Sequence, residues 1–237
     1  MEVKKSKDSL YLNEILNIFD TYLPKDNHLS ILEIGGSPGQ YLIYMHRQFG
    51  YKIHCLDYSE IGCLKTRENY ELLNIQGEIY QQDLFSEHHN LPLFDIVYSL
   101  GFIEHFSNLS LVIEKHLGLL KQNGVLIIGA PNFLGINHWF LKRLAPELLS
   151  KHNLETMDIS NWTSFEKEFG LKIVFKGYVG GFEPQIFNRR ERKSFWNSML
   201  KSVTRNLSSV LTHHLKALRK FNSRYFSGYV MGVYQKL

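Results

Sequence analysis

The feature that most constrains the fold of this chain is a glycine-rich turn placed directly behind a short apolar run. Leu29 to Gly35 (LSILEIG) leads into Glu33-Ile34-Gly35-Gly36-Ser37-Pro38-Gly39. An apolar run of that length, bounded by Gly and Pro, reads as a buried strand. Glycines after a strand let the backbone bend sharply and come close to a ligand. The helix expected next, over 40–48, offers free amide groups at its start. Two ligand classes use this device, and glycine spacing separates them. A dinucleotide site wants Gly at the first, third and sixth positions of the turn. Counted from Gly35, the third is Ser37 and the sixth is Gln40, so that pattern fails at two of its three places.

Strand and helix signals alternate around the turn. Residues 9–23 form an amphipathic helical pattern. Strands are expected over 29–35, 51–57, 77–82, 94–100 and 125–129, with helices over 40–48, 60–73 and 109–120. Asn123-Gly124 reads as the stop of the last of these helices. Beyond them come a helical stretch over 135–152 interrupted by Pro146, a short helix over 161–169 and a strand over 171–179. An apolar, β-rich end follows over 228–236. This order predicts an α/β fold: a seven-stranded, mostly parallel sheet with helices on both faces. A final strand with no following helix suits an antiparallel place in it.

The chain has 237 residues, of which 44% are hydrophobic, enough for a single domain spanning 1–237. No apolar run approaches the roughly 18 residues of a membrane span. The basic start turns amphipathic without an apolar signal core, so a cytoplasmic location is expected. Cys55 and Cys63 suit neither a disulfide framework nor a zinc pattern and are expected to be buried thiols.

Several matches fall in order around the turn. An acid followed by small residues two, four and six positions later is present as Glu33, Gly35, Ser37 and Gly39, with Ser37 in place of a middle glycine. Asp57 closes the second strand in CLDYSE, and Asp83 follows the third in QQDLF. FDIVYSLGFIEHF (94–106) and LKQNGVLIIGAPN (120–132) come next. From 29 to about 132 the chain resembles the class I S-adenosylmethionine-dependent methyltransferases, whose fold is Rossmann-like. The resemblance implies S-adenosyl-L-methionine as cofactor, with the turn (Glu33, Gly35, Gly36, Ser37, Gly39) against it. It further implies Asp57, with Tyr58, on the ribose hydroxyls, Asp83, with Leu84, at the adenine, and Ser99 nearby. A carboxylate suits a cis-diol because it accepts two hydrogen bonds. Ser37 departs from the pattern and adds bulk where the backbone nears the cofactor.

The same resemblance places Glu104 and His105 beside the methyl acceptor, with His105 as general base or acceptor contact and Glu104 orienting it. Some family members hold a divalent metal with such a pair. The sequence shows no fuller ligand set, so no metal is assigned. Asn132, His138 and His152, in an aromatic-rich stretch after the fifth strand, are the candidate substrate contacts. The leading reading is O-methylation of a small molecule or of a glycan or lipid-linked intermediate. N-methylation of a small amine is the alternative within the same fold, and a non-catalytic binding module is the alternative outside enzymology.

The basic charge is concentrated near the C-terminus. Residues 189–226 hold ten Lys and Arg against Glu191 alone, in a chain of formal net charge +4, so the rest is net acidic. Trp196, Leu200, Val203, Leu207, Val210, Leu211 and Leu218 recur at helical steps there. A basic helical insertion over about 187–226 is therefore expected. It suits a lid packed on the domain, or a contact with an anionic membrane surface, which would put the protein at the inner membrane face. Nucleic acid is least favoured, because no binding module accompanies the charge.

Overall fold

The computed structural model describes residues 3–5, 9–86, 91–182 and 221–237. Of the basic helical insertion expected over about 187–226, residues 187–220 lie outside them, while 221–226 are described and form loop and turn rather than helix. The elements run α1 (Leu10–Tyr22), β1 (Ser30–Ile34), α2 (Gln40–Phe49), β2 (Lys52–Asp57), α3 (Glu60–Leu72), β3 (Gly77–Gln81) and β4 (Phe94–Leu100). They continue with α4 (Leu109–Gly118), β5 (Leu120–Pro131), α5 (Ile136–Leu144), α6 (Pro146–Ser150), α7 (Phe165–Phe169), β6 (Leu171–Phe182) and β7 (Ser227–Lys236).

The seven strands form one sheet in the order β3-β2-β1-β4-β5-β7-β6. β7 runs antiparallel to both of its neighbours, and the pairs from β3 across to β5 are parallel. The expected fold class and its antiparallel last strand are therefore present. Chain order runs outward from β1 to β3, then resumes on the other side of β1 at β4. Ligands of such sheets bind where the order reverses, beyond the carboxyl ends of the strands.

Both faces of the sheet are covered, which is why its strands read as apolar runs rather than as strict alternation. Ile31, Ile53, Ile96 and Ile127 point to one face, packed against Ile15, Leu16 and Phe19 of α1 and Leu42 and Ile43 of α2. Leu32, Ile34, Val97, Leu126 and Ile128 point to the other, against Val112 and Ile113 of α4 and Phe165 of α7. Ser9 and Ser59 cap α1 and α3 by accepting from Leu12 N and Gly62 N. Cys55 and Cys63 are free and buried, as their composition suggested. No described helix is long and apolar enough to cross a membrane.

Three local expectations change. Asn123-Gly124 does not stop α4, which ends at Gly118; the pair instead lies inside β5. There the β4–β5 register slips between Phe94 and Ile96. Asn123 takes φ +62°, and a Cβ on Gly124 would come within 2.9 Å of the Asp95 carbonyl oxygen. The pair is thus a bulge signal in a strand, where its left-handed turn inserts extra residues. The helical stretch 135–152 is two helices, since Pro146 opens α6 and cannot continue α5. The helix expected over 161–169 is a 3-10 turn, Ile159–Trp162, followed by α7.

Gly135, before α5, fastens this region to the chain entering β7. It has φ +59°, and a Cβ there would lie 2.3 Å from the Tyr225 carbonyl oxygen and 2.4 Å from its Cα. Ile136 N donates to that same oxygen at 2.8 Å. Gly135→Ala is expected to cost about 3 kcal/mol of stability, read as a lower urea midpoint. A midpoint unchanged from the parent would refute this close contact.

Candidate active site

A cavity of about 690 Å³ opens at the carboxyl ends of β1, β2, β3 and β4, within the range of roughly 300–1,000 Å³ usual for small-molecule and cofactor sites. Its wall is made by Ile34 and Gly35, by Leu56 to Ser59, by Gln82 to Phe85, and by Gly101, Phe102, His105 and Phe106. Four successive strand ends contribute, so residues far apart in sequence meet there because the sheet is parallel.

Of the residues expected at the cofactor, Gly35, Asp57, Tyr58, Asp83 and Leu84 line the cavity. Gly35 has φ +69°, and a Cβ there would lie 2.7 Å from Cδ2 of the Phe102 ring, so only glycine lets this ring close one side of the site. Asp57 accepts from Ser59 N at 2.9 Å. Asp83 accepts from Phe85 N at 3.0 Å. Each carboxylate fixes its own turn through a backbone amide, the usual habit of Asp in turns.

Glu33, Gly36 and Gly39 stand behind this wall. Glu33 is 4% exposed. Burial, with a smaller push from Asp57, raises its pKa to about 8, and neighbouring Tyr98 opposes the shift. Neither Glu33 Oε2 nor the Tyr98 hydroxyl has a hydrogen-bond partner among the described residues. A Cβ on Gly36 would sit 2.5 Å from Glu33 Cγ. Ser37 is exposed at the turn. Ser99 is fully buried and pairs with His116 Nε2 at 2.9 Å. The other nitrogen of that ring meets Val112 O at 2.7 Å. Burial drops the His116 pKa to about 4, so the ring is neutral and accepts the Ser99 proton.

At the other end of the cavity, Gly101 (φ +77°) turns the chain out of β4 into a 3-10 turn, Ile103–His105. His105 faces the cavity. Burial, then the charge of His152, lowers its pKa. Glu104 is 2% exposed; burial raises its pKa to about 7. The His105 and His152 rings are 4.8 Å apart. Sequence reasoning missed the aromatic wall, in which Phe106 touches both Phe85 and Phe102 at ring separations of 5.0 and 4.8 Å. Its signal was one aromatic residue just past β3 and two past β4.

The remaining expected substrate contacts behave differently from one another. Asn132 is buried and bonded wholly to backbone: Nδ2 donates to Arg224 O and Ser227 O, and Oδ1 accepts from Leu134 N. His138 lies on α5, whose residues do not line the cavity. His152 adjoins the site through His105.

A sequence-family model described as a methyltransferase domain matches residues 8–175. The chain belongs to that family. Solved structures of the same fold carry S-adenosylmethionine or its product S-adenosylhomocysteine. Coclaurine N-methyltransferase, bound to N-methylheliamine and S-adenosylhomocysteine, shares 13% identity over 99% of this chain and 76% of its own, with a TM-score of 0.61. Geranyl diphosphate methyltransferase in complex with S-adenosylmethionine shares 9% over 94% and 84%, at 0.63. The plantazolicin methyltransferase BpumL, in complex with a pentazolic analogue and S-adenosylhomocysteine, shares 19% over 88% and 76%, at 0.53. No curated protein is a significant match to the chain. The methyltransferase's cavity has a shape that suits such a cofactor, with a glycine cradle at Gly35 and two fixed carboxylates, Asp57 at the end of β2 and Asp83 just past β3.

Glu33 makes stability depend on pH. Its folded pKa is raised, so its stabilising contribution is complete below the unfolded value of 4.5 and is lost as pH rises through about 8. Glu33→Gln cannot ionise. Between pH 5 and pH 8 the parent should lose stability relative to this variant, by up to roughly 1 kcal/mol per pH unit. Parallel urea curves across that range would refute a buried, protonated Glu33.

Proposed function

We propose that the methyltransferase O-methylates a small hydroxyl-bearing acceptor, a free small molecule or a glycan or lipid-linked intermediate. The observation that carries this reading is His105 on the cavity wall with its pKa lowered by burial and by His152. An imidazole held neutral at physiological pH is a base, and a base is needed only where the acceptor must give up a proton, as a hydroxyl does.

In this reading Asp57 holds the ribose hydroxyls, and Asp83, with Leu84, borders the adenine. Phe85, Phe102 and Phe106 keep water from the reacting end. Bound there, S-adenosylmethionine supplies a methyl on a positively charged sulfur, which leaves as a neutral thioether without help from an acid. The protein's part is to align acceptor and methyl and to exclude water. His105 accepts the hydroxyl proton as the acceptor oxygen forms its bond to the methyl carbon. Glu104, behind it, sets the local field.

Titration calorimetry with S-adenosylhomocysteine is the first test, and micromolar affinity is expected. Asp57→Ala should weaken that affinity at least about tenfold, the value of losing charge-assisted hydrogen bonds; unchanged affinity would remove Asp57 from the site. His105→Ala should lower kcat on a hydroxyl acceptor by about a hundredfold with product affinity unaltered. A variant that turns over as fast as the parent, above all on an amine, would replace this reading with N-methylation.

A further inference from the structure

The acceptor end brings to Glu104 and His105 a third residue, His152, which the sequence offered only as a substrate contact. Glu104, His105 and His152 each offer a ligand atom, and these atoms lie within 4.8 Å of one another. Two come from the turn after β4 and the third from the chain after α6. Asn153 staples the two segments together: its amide donates to Glu104 O at 2.7 Å, and its side chain donates to Phe106 O at 3.1 Å. His152 is delivered onto His105 by the residue next to it.

We propose that these three side chains form a site for one divalent cation of borderline softness, the class of Zn²⁺, Co²⁺ and Mn²⁺. Each imidazole is anchored through a backbone hydrogen bond: His152 Nδ1 to Leu148 O, and His105 to the backbone of Lys151. Anchoring one ring nitrogen orients the other, the arrangement that surrounds histidine metal ligands. Glu104 provides the independent sign. Its Oε2 is buried with no hydrogen-bond partner among the described residues, a costly state for a carboxylate that a cation would relieve. Two nitrogens and one oxygen suit borderline metals; Mg²⁺ and Ca²⁺ prefer oxygen ligands alone. Three protein ligands leave coordination positions open, on the side where His105 meets the cavity.

The use of such a cation rests on the methyl-transfer reading; its binding does not. It would hold one or two oxygens of the acceptor and lower the pKa of a bound hydroxyl, whose proton would pass to water before methyl transfer. His105 would then serve as a ligand, and the metal would do the activating assigned to His105 as base in the metal-free site.

The test uses tag-free protein stripped with chelator and titrated by calorimetry with Zn²⁺, Co²⁺ and Mg²⁺ separately. One equivalent of Zn²⁺ or Co²⁺ should bind, with Mg²⁺ at least about tenfold weaker. His152→Ala should weaken Zn²⁺ binding at least about tenfold and leave S-adenosylhomocysteine affinity intact, since His152 does not line the cofactor cavity. Should His152→Ala lose the fold, Glu104→Gln, of the same shape, reads the same loss. No stoichiometric binding, or affinity unchanged in the folded variants, overturns the site. Zn²⁺ uptake without S-adenosylhomocysteine binding would uphold the cation site while rejecting the methyl-transfer reading.

Discussion

A buried carboxyl group governs the architecture of this protein. Glu33 is the penultimate residue of β1, near the centre of the sheet, where burial favours its protonated form and no cation among the described residues opposes the shift. A charged group in that place would cost far more than a protonated one, so the surroundings must accept a neutral acid. They do so by crowding: Gly36 has no side chain because Glu33 occupies the space, and the turn folds tightly over the carboxyl. The same turn sets the start of α2 through Gly39, at φ +73°. Gly35 meanwhile lets Phe102 lie against the cavity. The cofactor site is thus shaped around an acid that its wall does not include.

From that point outward the sheet order does the positioning. The reversal between β1 and β4 opens a crevice that no described helix fills, and the ends of β2 and β3 extend one of its walls. Asp57 ends β2 and Asp83 lies two residues past the end of neighbouring β3, each held by the amide two residues on. Two fixed acceptors along one wall suit an elongated ligand with separated donor groups. The other end is aromatic and carries the titratable pair Glu104 and His105. The fixed carboxylates and the titratable His105 therefore occupy opposite ends of one cavity.

The histidines show how the same residue type serves different purposes. His116 is buried, neutral and bonded at both nitrogens, so it joins α4 to β4 and has nothing left for a ligand. His105 and His152 are less buried, each with one backbone hydrogen bond among the described residues. Among the described residues, His116 differs from the other two in having a bonding partner at its second nitrogen.

Much of the fold was legible because both faces of the sheet are buried, which turns strands into short apolar runs bounded by Gly, Pro and Asp. The glycine turn, the acids at the ends of β2 and β3 and the Glu104-His105 pair were legible too, since strand ends in a parallel sheet converge on one edge. What the sequence concealed depended on partners remote along the chain. Asn132 looked like a polar ligand contact, yet its bonds go to Arg224 and Ser227, more than ninety residues away in sequence. Asn123-Gly124 has the local chemistry of a left-handed turn, which serves a helix end or a strand bulge equally; pairing with β4 chose the bulge. His152 was expected as a substrate contact, but nothing in the sequence tied it to His105; the Asn153 contacts with Glu104 and Phe106 bring it there. Local sequence determined turns, strand ends and the covered faces, because these follow from backbone sterics and burial. Tertiary structure decided which side chains share a volume, because that depends on contacts closed across the sheet.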